Sequence, residues 1–124
     1  MQLIPLTPAS RCLAAAEAAA RLGELPGWRL LDVGGVLRLC NDYPTPDFAT
    51  SLALANRLAM LAESVRHHPV LTVAWGRLGV QWWTHVLQGL HENDYRMAAA
   101  CDSLVAEFVQ NNVAGETRQS GPAA

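Results

Sequence analysis

Lysine is absent from this sequence, and all of its basic residues are arginines. The formal net charge is only −2. A charge this small gives no reason to expect a nucleic acid or an anionic membrane as a partner. We attribute the absence of lysine to genome composition. An arginine-only basic set and a high alanine content are both typical of a bacterial source.

Cysteine is scarce, and none of the three cysteines belongs to a CxxC or similar metal-binding spacing. Cys12, Cys40 and Cys101 all lie in apolar stretches, which favours small buried thiols in a reducing compartment. The first residues have no basic signal-peptide region. The alanine-rich stretch of residues 14–20 is interrupted by Glu17, so it predicts no membrane span. We therefore expect a cytoplasmic protein.

Several motifs that mark common enzyme classes are also missing. The sequence has no glycine-rich phosphate-binding loop, no GxSxG nucleophile motif, no dinucleotide fingerprint and no HExxH zinc motif. These absences give no support to nucleotide-binding, serine hydrolase or zinc protease chemistry.

The apolar pattern predicts one α+β domain over residues 1–115, followed by a disordered polar tail over 116–124. Helices are expected from Pro8 to about Leu22, from Asp47 to about Arg66, and from about Glu92 onward. The segments predicted as strands are 28–32, 36–41, 71–75 and 78–85, forming hairpins across Gly34-Gly35 and Gly76-Arg77. The order α-β-β-α-β-β-α favours a four-stranded antiparallel sheet with the helices packed on one face.

The long central helix is predicted to carry two apolar stripes. Its main stripe is Leu54, Leu58, Leu61 and Val65, and its second stripe is Phe48, Leu52, Ala55, Ala59 and Ala62. An apolar surface of this width suggests a helix covered on two sides, by the sheet and by a partner subunit.

Three of the four histidines form the candidate site. His67 and His68 lie at the end of the central helix before Pro69, and His85 is placed on the last predicted strand. Glu63 precedes His67 by one helical turn, so the carboxylate is expected to orient that imidazole. Asp94 lies in the first turn of the last helix. Histidine is the side chain best suited to transfer protons near neutral pH.

Other interpretations of these residues stay open. The histidine pair could simply complement the dipole of a helix end. Glu63, His67 and His85 could instead bind zinc through one carboxylate and two imidazoles, although adjacent histidines do not easily aim at one ion. His91 is interpreted as a surface residue near a helix start.

Taken together, these motifs resemble the pterin-4a-carbinolamine dehydratase family. The resemblance rests on Ala62-Glu63, His67-His68-Pro69, Thr84-His85, Gly89-Leu90 and Asp94, with Leu25-Pro26-Gly27-Trp28 and Asp47-Phe48 upstream. It covers roughly residues 22–108. The sequence departs from the family pattern at Val86, where the family usually has an acidic residue, and at His91, where a threonine usually caps the helix.

The resemblance implies a metal-free and cofactor-free hydro-lyase, 4a-hydroxytetrahydrobiopterin dehydratase, acting on a pterin substrate as a homodimer or tetramer. His67, His68 and His85 are then the catalytic set, supported by Glu63 and Asp94. The alternative is a catalytically weak relative that acts as a RuBisCO assembly factor linked to carboxysomes.

Overall fold

The computed structural model describes residues 1–119, and the side chains of residues 1–111. The helices are α1 (Ala15–Arg21), α2 (Phe48–Val65) and α3 (Glu92–Gln119). The strands are β1 (Arg29–Val33), β2 (Val36–Pro44), β3 (Val70–Ala74) and β4 (Arg77–Trp82). The predicted α-β-β-α-β-β-α order is confirmed. Within residues 1–119 no helix is both long enough and apolar enough to cross a membrane.

The sheet is antiparallel with the strand order β1-β2-β4-β3, so β4 pairs with β2 as well as with β3. The face of β4 that carries Leu78, Val80 and Trp82 is buried against α2 and α3. Alternate residues on the opposite face are more polar, as at Gln81. The two faces therefore follow the side-chain period of a strand with one covered face.

Both hairpin turns contain glycine, but they differ from one another. Gly34 and Gly35 both have positive φ, at 60° and 86°, as a type I′ turn requires. In the second hairpin Ala74 pairs with Arg77, which leaves Trp75-Gly76 as the turn. The prediction of a Gly76-Arg77 turn, with glycine first, is wrong. Arg77 already pairs with Ala74, so the turn lies one residue earlier in the sequence and glycine is its second residue.

Helix α2 begins where the sequence predicts. The Asp47 side chain accepts a hydrogen bond from the Thr50 amide at 2.7 Å, as an N-cap does. Its end is made by Arg66, which has left-handed φ/ψ of 55° and 40°. The amide of His67 bonds to the carbonyl of Ala62, and that of Arg66 to the carbonyl of Glu63. This is a Schellman ending, so the chain leaves the helix before it reaches Pro69.

The second apolar stripe of α2 is only partly buried. Ala55 and Ala62 are buried in the core, whereas Phe48, Leu52 and Ala59 are exposed. A partner subunit could therefore cover only the three exposed residues of this stripe, because the other two are already buried within the domain.

The first helix is shorter than predicted. Residues 8–14 form a turn and an irregular segment instead, and α1 begins at Ala15. The reason is a tertiary contact: the Leu13 amide donates to the carbonyl of Leu90 at 2.8 Å. A Cβ at Gly89 would lie 2.7 Å from the Cys12 sulfur, so only glycine permits this approach.

The ends of the domain also differ from the predicted boundaries. Helix α3 continues to Gln119, past the predicted tail boundary at 116, and residues 120–124 lie outside the described residues. The disorder assigned to the tail stays a prediction. Cys40 and Cys101 are buried as predicted, whereas Cys12 is exposed.

Candidate functional site

Asp94 organises the candidate site from the first turn of α3. Its carboxylate is fully buried and accepts three hydrogen bonds. Oδ1 receives one from His67 Nε2 at 2.6 Å, and Oδ2 receives one from Thr84 Oγ1 at 2.8 Å and another from the His91 amide at 2.9 Å. Through these hydrogen bonds the Asp94 carboxylate connects the segment after α2, the loop after β4 and the start of α3.

The contact between Asp94 and the His91 amide is part of a helix cap. His91 precedes the first residue of α3, and its Nδ1 accepts a hydrogen bond from the Asn93 amide at 3.1 Å. Asp94, three residues further on, bonds back to the His91 amide, which is the reciprocal arrangement of a capping box. The interpretation of His91 as a surface residue is wrong, because it is only 9% exposed and acts as the cap.

His67 is held on two sides. Its Nε2 contacts Asp94, and its ring is stacked on Trp82 with a centroid distance of 5.6 Å and an interplanar angle of 4°. Because a carboxylate can only accept, Nε2 carries the proton in this contact and Nδ1 is the remaining nitrogen. This contact fixes both the ring plane and the tautomer.

The expectation that Glu63 orients His67 is wrong. Glu63 Oε1 lies 3.5 Å from Nε2 of His68 instead, and both side chains are largely exposed. The left-handed turn at Arg66 carries His67 away from the helical position from which it would have faced Glu63. An exposed contact of this kind contributes little to stability.

His85 lies in a short loop and not on a strand. Strand β4 ends at Trp82, and a single 3-10 turn at His85–Leu87 is closed by a bridge between Thr84 and Gly89. The His85 ring packs on Trp83 with the centroids 4.4 Å apart. The Arg38 guanidinium also lies over the Trp83 ring, 3.8 Å from its centroid.

The three histidines nevertheless border one cleft. It has a volume of about 400 Å³. It is lined by one residue from the N-terminal segment, by the end of α2 and by the loop after β4: Leu6, Arg66, His67, His68, Thr84, His85 and Val86. A cleft with several imidazoles on its wall can both donate and accept protons.

The predicted site residues thus fall into three groups. His67, His68 and His85 line the cleft, Asp94 lies behind His67, and Glu63 lies beside His68. The zinc interpretation finds no ligand set among the described side chains of residues 1–111, which include no group of three or more His, Cys, Asp or Glu that could hold a metal ion.

Three residues around the histidines were not predicted to belong to the site: Trp82, His91 and Leu6. Trp82 lies on the buried face of β4, and nothing in its spacing indicates that His67 stacks on it. The capping role of His91 was detectable in principle, because a polar residue three positions before Asp94 matches the spacing of a capping box. Leu6 had no local signal, because its place at the cleft depends on a tertiary contact.

The sequence is similar to one family of known proteins over most of its length. The model of the pterin 4 alpha carbinolamine dehydratase family matches residues 11–104. A provisionally named pterin-4-alpha-carbinolamine dehydratase of Syntrophotalea carbinolica is 45% identical over 73% of this chain and 81% of its own. Another from Chlorobium limicola is 43% identical over 84% of this chain and 92% of its own.

Two solved structures share the fold. A transcriptional coactivator/pterin dehydratase from Brucella melitensis superimposes with a TM-score of 0.66 at 29% identity, covering 76% of this chain and 98% of its own. A pterin dehydratase-like protein described as a RuBisCO assembly factor in the alpha-carboxysome gives a TM-score of 0.52 at 23% identity, covering 63% and 88%.

Proposed function

The chain belongs to the pterin 4 alpha carbinolamine dehydratase family, and from this premise we propose that it is an active 4a-hydroxytetrahydrobiopterin dehydratase. The reaction eliminates the 4a-hydroxyl as water and leaves the quinonoid dihydropterin. The observation that carries the proposal is the single cleft bordered by His67, His68 and His85.

The elimination requires two proton transfers. The leaving hydroxyl must gain a proton, and N5 of the pterin must lose one, so the proton count is unchanged. We assign the proton-accepting role to Nδ1 of His67, because Nε2 of this ring is committed to Asp94. His68 and His85, which are more exposed, would supply the proton to the hydroxyl. Asp94 acts as a positioning residue that sets the His67 tautomer, and Glu63 as a weaker partner of His68.

The proposal is tested with carbinolamine generated in the assay by an aromatic amino acid hydroxylase. Wild-type protein should remove it faster than the spontaneous reaction does. His68→Ala and His85→Ala should each slow that removal by about 10²–10⁴-fold. Arg57→Ala, an exposed substitution on α2 that does not line the cleft, should leave the rate unchanged. Equal rates with and without wild-type protein would reject the proposal.

RuBisCO assembly is the second candidate function. The relative described in these terms is 23% identical, a level that supports a shared fold but not a shared partner. We favour the dehydratase because an assembly role does not need a cleft bordered by three histidines. If assembly is the function, co-expression should raise the yield of soluble RuBisCO, and His68→Ala and His85→Ala should not reduce that gain.

We also propose that the chain forms a homodimer or tetramer through the exposed stripe of α2. Phe48 and Leu52 are 51% and 47% exposed, and Ala59 lies on the same side of the helix. A second copy of the chain would remove these side chains from water. Light scattering should give a mass above 13.4 kDa for wild type and a smaller assembly for Leu52→Glu. A wild-type monomer would contradict this proposal.

A further inference from the structure

The N-terminal residues 1–13 form a strap that is fastened to the start of α3. Asn93 holds the backbone of Ile4 from both sides: Oδ1 accepts from the Ile4 amide at 2.7 Å, and Nδ2 donates to the Ile4 carbonyl at 2.8 Å. Arg96 also donates to the carbonyl of Gln2 at 3.1 Å. Asn93 is adjacent to Asp94, so this end of the strap is tied to the residue that orients His67.

The other end of the strap is fastened to the loop that carries His85. The Leu13 amide bonds to the Leu90 carbonyl at 2.8 Å, and the Cys12 sulfur lies 2.9 Å from the carbonyl oxygen of Leu87. A chain segment held at both ends has less conformational freedom between them. The strap is therefore held at both ends, and the one strap residue that lines the candidate cleft, Leu6, lies between them.

Leu6 lies between these two attachments and lines the cleft. It is 39% exposed and shares the cleft wall with the three histidines. Leu6, Arg66 and His67 also border a second cavity of about 410 Å³ under the strap. Val86 is 78% exposed and lines the same cleft. Two exposed apolar side chains, Leu6 and Val86, thus share the wall of the cleft with the three imidazoles.

We propose that Leu6 is a specificity-determining residue, which with Val86 selects pterins whose substituent on ring carbon 6 is short and apolar. This inference rests on the proposed function and deepens it, since it ranks the substrates of the same cleft: 4a-hydroxytetrahydrobiopterin is turned over, but with a lower kcat/KM than its 6-methyl counterpart. The apolar substituent loses water when it contacts Leu6 and Val86, whereas a polyhydroxylated one would lose hydrogen bonds to water and find no partner there.

The test compares two carbinolamines, one with a methyl and one with a dihydroxypropyl substituent at carbon 6. Wild type should give the higher kcat/KM with the methyl compound. Leu6→Ser should reduce that preference by about five- to tenfold, mainly through KM, because Leu6 contacts the substituent itself and not N5 or the 4a-hydroxyl, so the contact is made equally in the bound substrate and in the transition state. Ile4→Ser is the matched control: it is 38% exposed on the same strap but does not line the cleft, so the preference should be retained.

A second readout separates this inference from the proposed function. Binding of the two corresponding stable 7,8-dihydropterins is measured by calorimetry on wild type, Leu6→Ser and Ile4→Ser. If wild type binds the methyl compound more tightly and only Leu6→Ser loses that preference, the inference holds even where turnover is absent. Equal binding or turnover of the two compounds by wild type, or a preference that Leu6→Ser leaves unchanged, would overturn it.

Discussion

Replacing Asp94 by asparagine should reverse the tautomer of His67. The native carboxylate accepts from His67 through Oδ1 and from Thr84 and the His91 amide through Oδ2. Asparagine has only one acceptor oxygen. That oxygen satisfies two donors if it takes the Oδ2 position, which turns the amide NH₂ toward Nε2 of His67. His67 must then accept at Nε2 and carry its proton on Nδ1.

The size of the effect follows from what is lost. A hydrogen bond between an ionised carboxylate and an imidazole is stronger than a neutral one, and its loss should cost about 1.5–3 kcal/mol of stability. With the proton on Nδ1, His67 can no longer accept the N5 proton in the role proposed for it. We expect dehydration to slow by about 10²–10⁴-fold, the range that general acid–base catalysis contributes.

The assay has two parts and a matched control. Nitrogen chemical shifts of His67 report which ring nitrogen carries the proton, and carbinolamine decay reports the rate. Asp102→Asn is the control, because this α3 carboxylate also accepts side-chain hydrogen bonds, from Trp28 and Tyr43, but does not line the cleft. It should lose stability and retain activity. An Asp94→Asn protein with wild-type rates and a protonated Nε2 on His67 would contradict this prediction.

Three further outcomes follow from the structure. Arg66→Gly should raise the free energy of unfolding by roughly 0.5–1 kcal/mol, measured by urea denaturation, because glycine adopts the left-handed conformation at this helix end without strain. Only Cys12 should react rapidly with a thiol reagent in the native protein, because burial raises the pKa of the other two thiols; rapid labelling of all three would contradict this. The hydrogen bond from Arg21 lowers the pKa of Glu92 below its ordinary value, so its stabilising contribution is fully present above the ordinary pKa and is lost as pH falls through the lowered one. The stability difference between wild type and Arg21→Gln, roughly 1 kcal/mol or less at pH 7, should shrink correspondingly in acid; a difference that is constant with pH would contradict it.

The sequence predicted the element order because each element carries its own local signal. The N-cap at Asp47 and the glycine pair at Gly34-Gly35 both determine backbone conformation within a few residues. The first helix was predicted too long because its start is set by a contact between Leu13 and Leu90, which are distant in sequence. Local propensity cannot anticipate such a bond.

The candidate site was predicted as a set of residues but not as a geometry. The three predicted histidines line one cleft, and their catalytic role stays a proposal. Asp94 was also predicted as a supporting residue, but the predicted pairing of His67 with Glu63 is wrong, because a single left-handed residue, Arg66, separates His67 from Glu63 and brings it to Asp94. A pattern of helical spacing does not apply beyond the residue at which the helix ends.

The most direct test of a dehydratase site in the histidine cleft is the rate at which purified wild-type protein removes 4a-hydroxytetrahydrobiopterin. We expect a rate clearly above the spontaneous one, together with its loss in a protein that carries both His68→Ala and His85→Ala. A wild-type rate equal to the spontaneous rate, or full activity in the double variant, would contradict the claim that the histidine cleft is a dehydratase site.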